Sequence, residues 1–469
     1  MSRGGHTTKL VVTAPTHAVY VTHHVQYATS QLSQKERKNQ YMNASSSLSP
    51  APRPLLTKSG TPARTLWRLT PGMPHINHGS YGAVPAAILD HQQRLRERME
   101  QAPCQWFQEL PPLLADARER TADLLGVDRA ALAFVPNASA GATVVCDSLR
   151  LKPGDEILVS DMGYGAVVMG AERHALRSGA TMRVVHIPID ADDDAIVAAF
   201  AAGMTEHTRL VIVDEITSAT AMLFPVARIV ATAHERGIRV LVDGAHAPGL
   251  IPGNPMELGA EYWTGNLHKF VCNPRATAVL AAAPSVADEL YPLIDSWGRD
   301  LPYPQRFDEQ GTGDYTAWLC APVTLAYLER EFGWDRIRTY ANSLADWAQQ
   351  LIANAFAAND ACGDGSTVRT ADDYVVRLAN PAPAMRLVRL PEGLVRNDQD
   401  AAVVRRQVIQ QFGFEATFTS FDGVGYMRLS AYIYNTADDY RRFADEIVPV
   451  LVAWSRDRSL LERGADDRH

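Results

Sequence analysis

The sequence predicts an α/β fold, with a large, mostly parallel sheet covered on both faces and a smaller α+β domain after it. Three observations predict this. From about residue 130 to 282, short apolar runs alternate with amphipathic stretches at helical spacing, the rhythm of a sheet whose strands are buried on both sides. After Pro322 that rhythm gives way to two successive helical stretches and then strands. The chain has 469 residues, 46% of them hydrophobic, enough for more than one ordinary globular core.

Element by element, the pattern begins with apolar residues at helical spacing over Ala86–Glu100 and Leu113–Leu125, the second closed by Gly126. Strands are expected at Leu132–Val135, Glu156–Ser160, Met182–Ile189, Arg209–Val213, Arg239–Val242 and Ala276–Ala281. Helices are expected between them near Ala140–Leu149, Gly165–Ser178, Asp193–Ala202 and Pro225–Arg236. Beyond Pro322 come helices at Val323–Glu331 and Trp334–Phe356, then strands at Tyr374–Leu378 and Met385–Leu390. A helix near Asp400–Gln411, strands at Glu415–Thr419 and Gly425–Ser430 and a closing helix near Ala437–Trp454 complete the small domain. No internal repeat is evident.

Composition removes several function classes. Forty-five Lys and Arg stand against 53 Asp and Glu, a formal charge of −8. The first sixty residues hold seven basic residues and a single acid, Glu36, so the remainder is more acidic still. Such a body is a poor match for nucleic acid, whose affinity rests on clustered Lys and Arg. No apolar run reaches the ~20 residues that a membrane-spanning helix needs. The five cysteines (104, 146, 272, 320 and 362) are scattered, with no CxxC pair, which argues against a disulfide framework or structural zinc and for a reducing, cytoplasmic location. No His or Cys group stands at ligand spacing, so no metal site is expected. Residues 1–60 end in the tract SSSLSPAPRPLL and read as a disordered or non-native extension. A transit peptide shares their composition, but no Arg-studded amphipathic helix accompanies it.

Ligands of open α/β sheets bind outside the carboxyl ends of the strands, and several of those ends are polar. After Leu132–Val135 comes Pro-Asn137-Ala138-Ser139-Ala-Gly141, opening a helix; small residues at a helix N-terminus suit a phosphate, though they also serve as an ordinary cap. After Arg239–Val242 comes Asp243, three residues before His246, and an Asp at a buried strand end needs a cationic partner to ionise. Further on, Gly265-Asn266-Leu267-His268-Lys269-Phe270 precedes another apolar run. A lysine, a strand-end aspartate and a phosphate cup together are what holding pyridoxal phosphate requires.

Eight motifs in order carry a resemblance. They are HINHGSYGAVP (75–85), VPNASAG (135–141), SDMGYGAV (160–167), VDEITSAT (213–220), VDGAHAPG (242–249), GNLHKF (265–270), GTGDYTAWL (311–319) and RLSAYIYN (428–435). From about Met73 to Trp454 the chain resembles the class V aminotransferase family of pyridoxal-phosphate enzymes, and within it the isopenicillin N epimerase-like branch. The resemblance implies fold type I, pyridoxal 5'-phosphate as cofactor and a homodimer with shared active sites. It implies a site segment over 61–85, a large cofactor-binding domain over 86–321, a small domain over 322–456 and a charged tail over 457–469.

Residue by residue, Lys269 matches the Schiff-base lysine and Asp243 the partner of the ring nitrogen. His246 matches the neighbour of the ring hydroxyl, and Tyr164 the aromatic that stacks on the ring. Ala138 and Ser139 match the phosphate cup, with donors added by Asn266 and His268. Thr312 is similar to a residue that reaches the phosphate from the second subunit. Arg428 matches the fork on the substrate carboxylate, and Asn77, Gly79, Ser80 and Tyr81 fall where the amino-terminal segment lines the substrate pocket. Asp214 and Cys272 have plain readings, a strand-end cap and a small buried hydrophobe.

Two departures stand out. Phe270-Val-Cys272-Asn-Pro-Arg275 replaces the family's usual Trp and Ala-Pro-Lys-Gly after the lysine. No cysteine follows Gly363, which disfavours a desulfurase with a mobile nucleophilic thiol. The expected activity is labilisation of an amino acid's Cα–H bond, with epimerisation first, C–S lyase elimination second, then transamination or decarboxylation. A catalytically silent member of the fold is the rival class.

Overall fold

The computed structural model describes residues 48–360 and 369–461. The chain opens with helices α1 (Ala86–Gln101) and α2 (Pro103–Leu125), the latter closed by Gly126 in the left-handed conformation at φ 71°. β1 (Leu132–Val135), α3 (Ala138–Ser148), β2 (Glu156–Ser160), α4 (Gly165–Arg177), β3 (Thr181–Val185), α5 (Asp193–Gly203), β4 (Thr208–Asp214), α6 (Val226–His234), β5 (Arg239–Asp243), β6 (Tyr262–Asn266) and β7 (Ala278–Ala282) follow. Then come α7 (Thr316–Glu331), α8 (Trp334–Asp360), β8 (Met385–Arg389), α9 (Asp398–Phe412), β9 (Phe418–Phe421), β10 (Val424–Ser430), α10 (Ala437–Arg442) and α11 (Val448–Arg456).

The large sheet has seven strands in the order β1-β7-β6-β5-β4-β2-β3. β3, β2, β4, β5 and β6 run parallel, while β7 is antiparallel to both β6 and β1. Side chains alternate between two cores: Val240 and Val242 of β5 point into one and Leu241 into the other, as strands covered on both faces require. A three-stranded antiparallel sheet, β8-β10-β9, forms the second layer system, packed on α8.

Several expectations shift in the structure. β6 was not anticipated: Tyr262, Trp263 and Thr264 favour a strand, but Gly265 and Asn266 cut the run short, and all five residues are buried between β5 and β7. α2 starts ten residues before the expected Leu113 and runs through Pro111 and Pro112. Prolines read as breakers, but burial of Trp106, Leu110 and Leu114 on one face holds the helix. α7 likewise runs through Pro322, so the division placed between 321 and 322 falls inside a continuous helix. Tyr374–Leu378 forms no strand, only a bridge from Val375 to Val388, and the strand expected over Glu415–Thr419 sits at Phe418–Phe421. The closing helix is interrupted by a π-helical turn over Phe443–Ile447 just before Pro449.

The extension drawn to residue 60 is also too long. Leu55 and Thr57 are buried, Lys58 N–H donates to Glu331 O at 2.7 Å, and Ser49 O accepts from the Trp347 indole. A proline-rich segment can lie extended on a body because its backbone needs few internal partners. The readings for residues 1–47, and for the tail beyond 461, lie outside the described residues.

Candidate active site

The parallel strands end at a common edge, where β4 delivers Asp214, β5 Asp243 and β6 Asn266. Lys269 follows β6 by three residues and is 8% exposed. Two features fix its backbone. His78, fully buried, has Nε2 3.0 Å from Lys269 O and Nδ1 2.7 Å from the Tyr434 hydroxyl. Nε2–H must donate to the carbonyl, so Nδ1 accepts from Tyr434 and the tautomer is set; burial holds this imidazole well below its usual pKa, and therefore neutral. Gly82 donates its N–H to His268 O, and a Cβ there would lie 2.2 Å from Lys269 O. Only glycine lets the amino-terminal segment pass so close.

Around the Lys269 amine the geometry is specific. His246 Nε2 is 3.1 Å from Lys269 Nζ and 3.0 Å from Gly79 O. Burial first, then Lys269 and Arg428, hold His246 neutral, with its other face toward the Ile216 carbonyl. A proton on Nε2 donates to Gly79 O and one on Nδ1 donates toward the Ile216 carbonyl; only the Nδ1 tautomer leaves Nε2 free to accept from the lysine. The Tyr164 ring stands 5.9 Å from Lys269 Nζ and is 42% exposed. Burial lowers the Lys269 pKa to about 8, against the pull of Asp243 and with the push of Arg428. Its amine is thus nearer the neutral, nucleophilic form than an exposed lysine's.

Asp243 and Asp214 are Cα partners at the ends of β5 and β4, and both are buried. Burial raises the pKa of each, and Asp243 raises that of Asp214 further. Two carboxylates ~4 Å apart repel by about 4 kcal/mol at an effective dielectric of ~20, so the pair does not hold two full charges cheaply. Asp243 Oδ1 accepts from Ala245 N–H at 3.0 Å, whereas Oδ2 is buried without a partner. A buried, unpaired carboxylate oxygen facing a lysine fits a cationic ring nitrogen.

The expected phosphate cup is built differently in detail. Asn137 caps α3, its Oδ1 accepting from Ala140 N–H at 2.8 Å. Ala138 N–H is taken by Asn266 Oδ1 at 2.9 Å, so Ala138 is not an open donor and Asn266 offers its amide NH2 instead. Ser139 lies half-buried on the first turn of α3. His268 turns Nδ1 toward Thr277 O at 3.3 Å, and burial brings its pKa to about 4. Gly141 is demanded by packing, since a Cβ there would meet Thr264 Oγ1 at 2.3 Å.

Arg428 on β10 is buried and faces the sheet edge. Nη2 donates to Ser80 Oγ at 2.8 Å and Asn77 Oδ1 at 3.3 Å, Nη1 to Ser218 O at 2.5 Å, and Nε has no partner. Burial lowers its pKa to about 10, which still leaves it cationic at neutral pH. Tyr81 is 63% exposed, and Thr312 is exposed in the loop before α7; this loop makes no hydrogen bond to Lys269 or Asn266 among those of the described residues. The wall after the lysine is closed by the Tyr432 hydroxyl donating to Phe270 O and by Arg275 donating to Gly82 O at 2.6 Å. Cys272 is fully buried and its thiol pKa is pushed well up, as an inert small hydrophobe's would be.

Sequence reasoning missed His78, Tyr434 and Ser218. All three lie inside the quoted motifs, but nothing in a linear pattern shows that His78 joins Tyr434 to the Lys269 carbonyl or that the Ser218 carbonyl is the partner of Arg428.

A seven-stranded sheet ending in a buried lysine beside a strand-end aspartate defines a fold-type-I pyridoxal-phosphate-dependent enzyme. The family model "Aminotransferase class-V" matches residues 97–365. Isopenicillin N epimerase of Streptomyces clavuligerus is 30% identical over 403 residues, covering 82% of this chain and 96% of that protein. Putative L-cysteine desulfhydrase 1 of Oryza sativa subsp. japonica is 29% identical over 415 residues, covering 80% and 83%. A solved complex of the cystine C–S lyase C-DES with cysteine persulfide superposes with a TM-score of 0.63 at 18% identity, over 81% of this chain and 98% of that one. The chain belongs to the class V aminotransferase family, whose members use pyridoxal phosphate.

Proposed function

We propose that this enzyme labilises the Cα–H bond of an amino acid or amino-acid conjugate and returns the proton to the opposite face, as an epimerase resembling isopenicillin N epimerase. The Cα–H step rests on Lys269 Nζ set against His246, with the unpartnered Asp243 Oδ2 and the Arg428 fork at the same sheet edge; the choice of epimerisation rests on the likeness to isopenicillin N epimerase. Bound there, pyridoxal phosphate supplies an electron-accepting ring conjugated to the substrate's α-carbon. Lys269 would hold the cofactor covalently, and its amine, once released by a substrate amine, would take the α-proton. Asp243 Oδ2, buried without a partner, would accept from the protonated ring nitrogen and keep that charge in place, with His246 beside the ring hydroxyl and Tyr164 against the ring. Ser139 and Asn266 would donate to the phosphate, whereas neutral His268 spends its one proton on Thr277 O and has none to offer it; Arg428, with Asn77, Ser80 and Tyr81 beside it, would orient the substrate carboxylate.

Elimination from an S-substituted cysteine is the second reading, favoured by the desulfhydrase relative at nearly equal identity. The cysteine-free sequence after Gly363 speaks against a persulfide relay in either case. The deciding test is incubation with isopenicillin N and with L-cysteine in deuterated water. Deuterium at the α-carbon of an inverted product supports epimerisation, and pyruvate with sulfide supports elimination. Neither product with either compound would leave transamination, read as keto acid formation.

The lysine's pKa gives a further expectation. The rate at which cofactor-free protein forms its covalent adduct with pyridoxal phosphate should climb with pH and level off just above about 8. An unperturbed lysine would keep gaining toward about 10.4. Stopped-flow absorbance at a series of pH values measures it.

The same reading makes the enzyme a homodimer whose neighbour supplies Thr312 to the phosphate. An apolar stretch supports this: Tyr291, Leu293, Ile294, Trp297 and Leu301 are exposed, Trp297 by 95%. It adjoins the Thr312 loop, because a Cβ on Gly311 would meet Ile294 at 3.7 Å. Contiguous exposed hydrophobes of this kind mark association surfaces. Mixing Lys269→Ala with Thr312→Val chains should restore activity, since one site of each heterodimer is intact. A monomer in sedimentation, or no restoration despite proven subunit exchange, contradicts the shared site. The four described cysteines are free, in keeping with a cytoplasmic protein, and no helix among the described residues is long and apolar enough to cross a membrane.

A further inference from the structure

The remaining question at the sheet edge is Asp214, a 4%-exposed carboxyl that no step above uses. Its burial beside Asp243 is costly, and a serine would cap a strand end without that cost. The Gly163–Tyr164 turn packs against this carboxyl from across the site, and the Tyr164 backbone N–H favours its charged form. Gly163, one residue earlier, passes so close that a Cβ there would lie 3.7 Å from Asp214 Oδ2 and 2.8 Å from Val168 Cγ2. Tyr164 itself enters α4 without a side-chain cap bond, and its ring is 42% exposed. Ring packing therefore contributes little to fixing it, and the backbone anchor decides where it points.

We propose that Asp214 is a positioning residue: it ties the Gly163–Tyr164 turn to the end of β4 and thereby fixes the Tyr164 ring opposite Lys269. The inference rests on the functional reading above. Because Asp214 and Asp243 stand at one level of adjacent strands, a single rigid pair then sets both the aromatic that faces the cofactor and the carboxylate that meets its nitrogen. Small displacements at such a point are expensive, since ~1 Å of misplacement can cost about a hundredfold in rate.

The test uses holoenzyme and four variants: Asp214→Ala, Asp214→Asn, Tyr164→Leu and the double Asp214→Ala/Tyr164→Leu. Two readouts are taken, the visible circular dichroism of bound cofactor and α-deuterium exchange with the better substrate. Asp214→Ala should weaken the dichroism and slow exchange roughly tenfold to a hundredfold. Asp214→Asn, nearly isosteric and still an acceptor for the Tyr164 N–H, should recover most of both, which also separates positioning from a folding defect. The double variant should be no worse than Tyr164→Leu, because the anchor has nothing left to hold. Unchanged dichroism in Asp214→Ala, an Asp214→Asn variant as impaired as Asp214→Ala, or additive losses in the double variant would overturn the proposal. A wild-type protein that takes up no cofactor at all contradicts the functional reading itself, and this inference with it.

Discussion

Lys269→Ala will bind pyridoxal phosphate without forming the covalent adduct and will lose α-proton exchange by about a thousandfold or more. The size follows from two roles in one atom: the Lys269 amine both carries the cofactor and takes the substrate proton. No other lysine can substitute, because Lys269 is the only lysine after Lys152 in the sequence. The fold should survive. Among the described residues the Lys269 amine hydrogen-bonds to His246 alone, and the segment is held by backbone contacts from His78 and Gly82. A melting temperature close to wild type, bound cofactor without the visible band of the lysine adduct, and exchange lower by about a thousandfold or more are the expected results. Exchange at a substantial fraction of the wild-type rate would remove Lys269 from the chemistry.

Asp243→Asn should keep the adduct and lose most of the rate, about a hundredfold to a thousandfold. Asp243 Oδ2 is the buried atom with no partner of its own, and only a carboxylate can accept from a protonated ring nitrogen and stabilise its charge. The amide leaves the ring nitrogen unprotonated. The substitution also removes one carboxyl of the Asp214–Asp243 pair. Relief of that repulsion should leave the variant at least as stable as wild type, a sign opposite to its effect on rate. Thermal unfolding and exchange measured on one preparation check both signs. A destabilised protein with an unchanged rate would mean that Asp243 is structural.

Much of this was legible in the sequence, for definite reasons. The buried strands announce themselves as apolar runs, and the functional residues lie just past them, where the sheet edge must be polar. Lys269, Asp243 and His246 sit in short motifs whose spacing survives folding, because each motif is one strand end and its following turn. What stayed hidden depended on contacts between distant segments. β6 offers just Tyr262, Trp263 and Thr264 before Gly265 and Asn266 end its strand-favouring run, and its burial comes from the neighbours on both sides. Pro111, Pro112 and Pro322 read as stops, yet α2 and α7 pass through them on the strength of packing. The SSSLSPAPRPLL tract reads as unable to pack, yet Leu55 finds a place on the body. Ala138 was expected to be open to a phosphate, but Asn266, from 128 residues away, already occupies its N–H. Asp214 read as a cap because its partner, the Tyr164 backbone, lies on a different strand's turn.

Borohydride reduction of the holoenzyme, followed by proteolysis and mass spectrometry, tests the central claim most directly. One stoichiometric phosphopyridoxyl group on the peptide that contains Lys269 is the result this account predicts. The same group on another lysine, or no group on any peptide from protein that is folded and saturated with cofactor, would contradict it.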